Sequence, residues 1–472
     1  MGVSASMAQD KNAPPSPLSI RLGTTELFPL GFMDATNIFR TTNLTGQGGG
    51  TIGTSFGSIP FNDTLLGHMT EDKFSAQNSR IGFRTESDVA GGHVTGYLEA
   101  DFLGYLAPNG NITSNSDSLR LRLFWAKYRI GKIEIQGGQS WSLLTPNRVG
   151  LSALPGDLFY GQEMDTNYLL GLTWTRAAGI RVIAHPTNYW AIGFSLENPQ
   201  QTLPSTVTEP STIPAALNPN ANYGGQFDTN SGNTSSTVGV NNTSIPNLFP
   251  DLIVKTAFDA DPGGHHIHLD IAGILREYKV LNLVQSTFNS ANTIPINPVY
   301  NTIEGAGGEI GLNVELVKNL RWISTAYYSY GGGRYIGNTT APDVIVKPDG
   351  TLSAVHSGSG ISGFEYQVTP KWMFYGYYSG VYIAKNVCGV TTGTTTAYCG
   401  YGFPGSNNSS DRYLYEGTGG IINTIWKSPN YGDLKAITQF SYVSRTPWAV
   451  PLGTESTAHT GMLYLDLRYD IP

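Results

Sequence analysis

The chain has 472 residues and a formal net charge of −7; only 13% of residues are charged and 40% are hydrophobic, while glycine (57) and tyrosine (26) are abundant. Charge at about half the usual level, with no compensating apolar enrichment, fits neither a soluble enzyme nor a disordered chain. The absence of any long apolar run excludes a helical membrane protein, and an acidic balance without a basic run argues against a nucleic-acid binder.

Residues 1–29 read as a periplasmic amino-terminal segment, and 30–471 as a single barrel domain. The small residues Ser6-Met7-Ala8 fit a signal-peptidase remnant over 1–8 and equally a plain start. From there, alternation of apolar and polar side chains predicts about sixteen strands: 30–41, 75–86, 92–103, 118–129, 132–142, 167–176, 189–198, 249–259, 265–277, 304–316, 319–330, 356–368, 371–383, 413–427, 433–445 and 459–471. In the second, Ile81 and Phe83 oppose Arg80 and Arg84. In the third, Val94, Leu98, Ala100 and Phe102 oppose Tyr97, Glu99 and Asp101. In the fourth, Leu119, Leu121, Leu123 and Trp125 oppose Arg120 and Arg122. In the ninth, Ile267, Leu269, Ile271 and Leu275 oppose His268, Asp270 and Arg276. In the last, Leu463, Leu465 and Leu467 oppose Tyr464, Asp466 and Arg468. Charges on the inner face of a dry soluble core are heavily penalised. A water-filled lumen removes that penalty, and lipid takes the apolar face.

The connections alternate in length. Short ones at 87–91, 130–131, 260–264, 317–318, 369–370 and 428–432, with a longer turn at 177–188, alternate with long ones such as 42–74, 143–166, 199–248 and 384–412. Long exterior loops and short periplasmic turns are the asymmetry of a transmembrane antiparallel β-barrel in a bacterial outer membrane.

Few residues carry other chemistry. Cys388 and Cys399, the only cysteines, share one exterior loop and are expected to form a disulfide. Three G-x-G-x-x-G stretches, at 48–53, 358–363 and 400–405, open no helix after a buried strand and fail the context test for a phosphate cradle. His265, His266 and His268 cluster beside a turn without a third-ligand pattern, so no metal and no cofactor is assigned. Arg80, Arg84, Arg120 and Arg122 would point into one channel beside Glu99 and Asp101, with Arg276 on a later strand. Such a wall is either a set of structural ion pairs or an arginine ladder that favours anions; four arginines against two carboxylates favour the ladder. Loop 143–166 is a candidate constriction, with Asp157, Glu163 and Asp165 opposite the ladder and Phe159 and Tyr160 narrowing it.

Several segments resemble one family. Ser79-Arg80-Ile81-Gly82-Phe83-Arg84, Tyr97-Leu98-Glu99-Ala100-Asp101-Phe102, Leu119-Arg120-Leu121-Arg122, Gly138-Gln139-Ser140-Trp141-Ser142, Leu196-Glu197-Asn198-Pro199, Arg276-Glu277-Tyr278 and Gly331-Gly332-Gly333-Arg334-Tyr335-Ile336 are similar to the DcaP-like outer-membrane porins. The resemblance implies a sixteen-stranded barrel, usually a homotrimer, that passes small anionic solutes such as dicarboxylates and has the lipid bilayer with its lipopolysaccharide as surroundings. The expected function is passive diffusion rather than catalysis. The alternatives are a surface receptor or adhesin, or a barrel-embedded enzyme, each with a closed lumen.

Overall fold

The computed structural model describes residues 19–44, 53–105, 117–153, 158–163, 168–199, 226–227, 249–282, 299–337, 339, 341–347, 351–392, 394–406 and 410–472. Sixteen strands form one closed antiparallel barrel. They are β1 (Thr25–Arg40), β2 (Arg80–Val89), β3 (Gly92–Tyr105), β4 (Asp117–Ile130), β5 (Ile133–Trp141), β6 (Arg176–Ala184), β7 (Trp190–Glu197), β8 (Asp251–Ala260), β9 (Ile267–Asn282), β10 (Val299–Val317), β11 (Leu320–Tyr330), β12 (His356–Thr369), β13 (Trp372–Ile383), β14 (Asp411–Ser428), β15 (Gly432–Pro447) and β16 (Ala458–Asp470). Each pairs with its neighbours in sequence, and β16 closes on β1 from Phe32↔Asp470 to Arg40↔Met462. Closure satisfies every strand edge, which a lipid environment demands.

Tight turns gather at one end. Between β2 and β3 only Ala90 and Gly91 intervene, with φ of 51° and 78°, as a two-residue hairpin turn of matching twist requires. The side chains sort into two faces. Ile81, Phe83, Ile180, Val182, Phe258, Leu275, Phe364, Leu465 and Leu467 are exposed on the outside, where lipid covers them. Arg80, Glu99, Asp101, His268, Asp270, Arg276, Asp466 and Arg468 are buried inside. In the Tyr-rich β13, Tyr375 and Tyr377 face inward, and Trp372, Phe374 and Tyr378 face lipid.

Three sequence expectations change. The sixth strand is not 167–176 but Arg176–Ala184; Tyr168, Leu169, Leu170 and Leu172 are instead buried inside the barrel. A continuous apolar run lacks the alternation that separates a lipid-facing strand from an interior loop. The second strand is broken: Glu71–Ser75 pairs with the upper half of β1, and β2 resumes at Arg80 after a kink. In β4 a bulge lies at Arg122, because Ala100 pairs with Leu121 and Glu99 with Leu123. The extra residue shifts the faces. Leu119 and Leu121 remain outside, Leu123 and Trp125 turn inward, and Phe124 takes the lipid side.

Parts of the long loops fill the upper lumen. Phe56, Ile59 and Phe61 from the first, Leu143, Leu144 and Leu170 from the third, and Tyr335, Ile336 and Ile345 from the sixth join inward-facing wall residues in one buried cluster. Outside, Asn386–Thr392 and Thr395–Tyr401 form a hairpin in which Cys388 and Cys399 pair and are joined by the expected disulfide.

Candidate functional site: the lumen wall and the loop that enters it

The predicted arginines on β2 and β4 meet the carboxylates of β3 between them. Arg122 donates from Nε to Glu99 at 2.6 Å and from Nη1 to Asp101 at 2.7 Å. Arg120 grips Asp101 with two bonds, 3.0 and 2.6 Å, and Arg80 lies 3.8 Å from Glu99. Three guanidiniums thus converge on two carboxylates. Arg84 stands apart, 3.0 Å from Glu86 and stacked over Phe28. Tyr97 and Trp125 stack beside the cluster at 5.4 Å.

Which end of each pair meets water decides what a solute feels. The Arg120 side chain is 35% exposed and its partner Asp101 is 0%. Lys73 over Glu71 is 23% against 3%, and Arg148 over Glu365 is 15% against 4%. Lys127 and Arg129 cover Glu134 in the same manner. The carboxylates lie against the wall and the cationic ends stand over them. At these pairs a solute in the lumen meets the cationic end first.

The described parts of the third long loop, 142–153, 158–163 and 168–175, enter the lumen. Leu158, Phe159, Tyr168, Leu169 and Leu172 pack on Ile323, Ile361, Tyr375, Tyr377, Ile422 and Ile437, an apolar patch on the inner faces of β11 to β15. Burial of each such side chain stabilises by about 1.5–3 kcal/mol, which drives the loop inward. Polar ties fix its position. Leu143 N–H donates to Glu197 at 2.8 Å, and Asn147 N–H to Asp270 at 2.8 Å. Arg148 clasps Glu365 with bonds of 2.7 and 2.5 Å and lies under the Tyr160 ring at 5.2 Å. Gln162 accepts from Arg468 at 3.0 Å. Glu163 is fully enclosed and accepts from Thr418 at 3.0 Å, Ser441 at 2.6 Å and the Gln439 amide. Thr418 Oγ1 also lies 2.5 Å from Glu416, so one hydroxyl serves two carboxyls. Burial first, and then the Glu416 carboxyl, hold the Glu163 carboxyl well above the usual carboxylate range.

Of the five residues proposed for the constriction, Phe159, Tyr160 and Glu163 lie inside the barrel, and Asp157 and Asp165 lie outside the described residues. Arg276 is enclosed, 3.1 Å from Asp251 and 2.8 Å from Asp343, between the rings of Tyr278 and Tyr335; it ties the sixth loop to the wall. His268 sits between Asp259 at 2.8 Å and Asp270 at 3.1 Å, and His266 meets Asp261 at 3.0 Å. Among the described residues no group of three or more His, Cys, Asp or Glu side chains could hold a metal. Sequence reasoning missed Arg148, Glu365 and the Glu416–Thr418–Gln439–Ser441 set. The signal present was a period of two: Glu365 stands between Phe364 and Tyr366, and Gln439 and Ser441 flank Phe440.

No protein-family model matches the chain, and no curated protein matches it significantly. Solved structures do. The outer-membrane channel DcaP of Acinetobacter baumannii is 14% identical, with a TM-score of 0.63 over 95% of this chain and 97% of that one. The anion-selective porin from Comamonas acidovorans is 10% identical, with a TM-score of 0.47 over 95% and 100%. OmpF of Salmonella typhi is 9% identical, with a TM-score of 0.47 over 96% and 100%. With its apolar outer band and closed sixteen-stranded wall, the chain has the fold of the outer-membrane porins, similar to that of the DcaP channel.

Proposed function

We propose that the barrel is a passive diffusion channel with a preference for small anions, dicarboxylates in particular. The observation that carries this reading is the polarity of its inner ion pairs: Arg120, Lys73 and Arg148 stand toward water over buried Asp101, Glu71 and Glu365. Guanidinium remains charged at any working pH and binds carboxylates through two parallel bonds. Weak, repeated sites of that kind raise entry without trapping the solute. The contact of Arg148 with the Tyr160 ring on the inward loop supports a path that narrows past a cationic group. The resemblance to DcaP-like porins also supports a homotrimer, which cross-linking in native membranes tests. The closed-lumen readings, a receptor or an embedded enzyme, require a barrel that carries no current.

Proteoliposome uptake tests the proposal. A four-carbon dicarboxylate should enter faster than its uncharged diamide of equal size, and Arg120→Gln should narrow the difference. Equal rates for the two solutes through the unmodified protein would contradict the anion preference.

A further inference from the structure

The outer face of β12 to β15 carries a feature that the solute path does not use. The wall is thin where Gly376, Gly417 and Gly419 follow one another across neighbouring strands. This leaves a depression of about 620 Å³ rimmed by Phe364, Tyr378 and Phe440. Those three rings are exposed and face lipid. Toward the long-loop end, aromatic rings continue upward from it: Tyr378 and Tyr415 at 6.3 Å, Tyr415 and Tyr413 at 5.8 Å, Tyr413 and Tyr382 at 5.2 Å, and Tyr382 and Trp448 at 6.4 Å.

Two cations stand at the top of this run. Arg412 lies 4.5 Å from the Trp448 ring centre and 4.7 Å from that of Tyr413; Lys385 lies 5.5 Å from Trp448. A bulge puts Arg412 there. Asp411 pairs with Pro447 and Tyr413 with Thr446, leaving Arg412 as the extra residue, so it lies beside Tyr413 and not in the lumen. The indole is pinned by its N–H bond to the Ile383 carbonyl at 2.9 Å. Among the described residues neither cation meets a carboxylate, whereas the inner-wall arginines do. Two like charges held on one ring repel each other and attract an anion.

We propose that this face binds a phosphorylated, multiply acylated glycolipid of the outer leaflet. Its phosphate sits between Arg412 and Lys385, and one acyl chain runs down over Tyr413 and Tyr415 into the glycine-lined depression. The charge sits at the exterior rim and the apolar groove below it, which is the order of head and tail in an outer leaflet. From Tyr413 to Gly419 the strand runs about 20 Å along its own tilted axis, a length comparable to one extended acyl chain. The inference rests on the membrane-spanning barrel and is independent of which solutes pass through the lumen.

The test is binding of purified diphosphoryl lipid A to the intact protein in detergent, followed by native mass spectrometry. Its dephosphorylated form and inorganic phosphate serve as comparisons. Arg412→Ala with Lys385→Ala should weaken lipid A binding about thirtyfold, at roughly one surface cation's worth of attraction per residue. Gly417→Leu with Gly419→Leu fills the depression. A Cβ at 417 meets nothing within 4 Å and one at 419 only the Tyr375 carbonyl at 3.8 Å, so the backbone admits a side chain at both positions. It should weaken lipid A and leave phosphate-dependent discrimination in place. Heat-dependent gel mobility verifies folding, and unchanged ion currents separate loss of this site from loss of the channel. Equal binding of lipid A by the unmodified protein and both variants would overturn the proposal. So would equal binding of the dephosphorylated form, or cross-links showing that a second copy of the chain covers Gly417.

Discussion

Arg148→Gln removes the strongest single tie between the inward loop and the wall. The guanidinium makes two bonds to Glu365, at 2.7 and 2.5 Å, and one to the Leu158 carbonyl at 2.6 Å. In the variant the Glu365 carboxylate stays buried with only the Tyr377 hydroxyl, at 2.7 Å, to compensate it. Removing one partner of a buried pair costs about 3–5 kcal/mol. Arg148 keeps some contact with water, so the lower figure applies: about 3 kcal/mol, or on the order of a hundredfold in the ratio of docked to released loop. Two assays read that ratio. Single-channel recordings should show a larger and noisier conductance, and proteolysis within 158–163 should accelerate by a similar factor. Arg148→Gln combined with Glu365→Gln leaves no unpaired charge and should recover most of the docking. Unchanged conductance and protease resistance in the single variant, or a double variant no better than the single, would mean that this ion pair does not hold the loop.

Leu467→Arg places a charge on the lipid face of β16 and should lower folding stability in vesicles by about 2–4 kcal/mol; wild-type refolding in urea titrations would mean that the register is off by one residue. The Glu163 carboxyl is held above the usual range in the folded barrel and titrates normally when unfolded, so its contribution to loop docking is full below the usual carboxylate range. That contribution is lost as pH rises through the raised value. Protection factors at 158–163, corrected for intrinsic exchange, should therefore fall as pH rises through that value, and Glu163→Gln should flatten the profile; pH-independent protection in the unmodified protein would sink this assignment. Replacing Cys388 and Cys399 by Ser should loosen only the exterior hairpin, by up to about 3 kcal/mol in the chain-entropy account, with faster proteolysis between them and unaltered current.

The barrel was legible in the sequence because lipid and water impose opposite demands on alternate residues. In β16, Leu463, Leu465 and Leu467 against Asp466 and Arg468 give the faces directly. The expectation failed where alternation stops. The run around Tyr168–Leu172 has the length of a strand and the greasiness of one, yet it lies inside, on Tyr375, Tyr377 and their neighbours. The bulge at Arg122 is a property of pairing with β3, and no residue in β4 announces it. The site was legible only in part for a similar reason. The arginines and the two carboxylates of β3 lie on adjacent strands and could be read together. The partners of Arg148 and Glu163 lie on β12, β14 and β15, and only barrel closure brings them across the lumen.

Exposed cationic ends over buried carboxylates should make the lumen favour anions, despite a net charge of −7. Reversal potential across a potassium chloride gradient, measured on the unmodified protein in a planar bilayer, reports that preference through its sign. The sign should be that of chloride outrunning potassium, and it should move toward zero in Arg120→Gln. A current carried mainly by potassium, or a barrel that carries none, would contradict the claim.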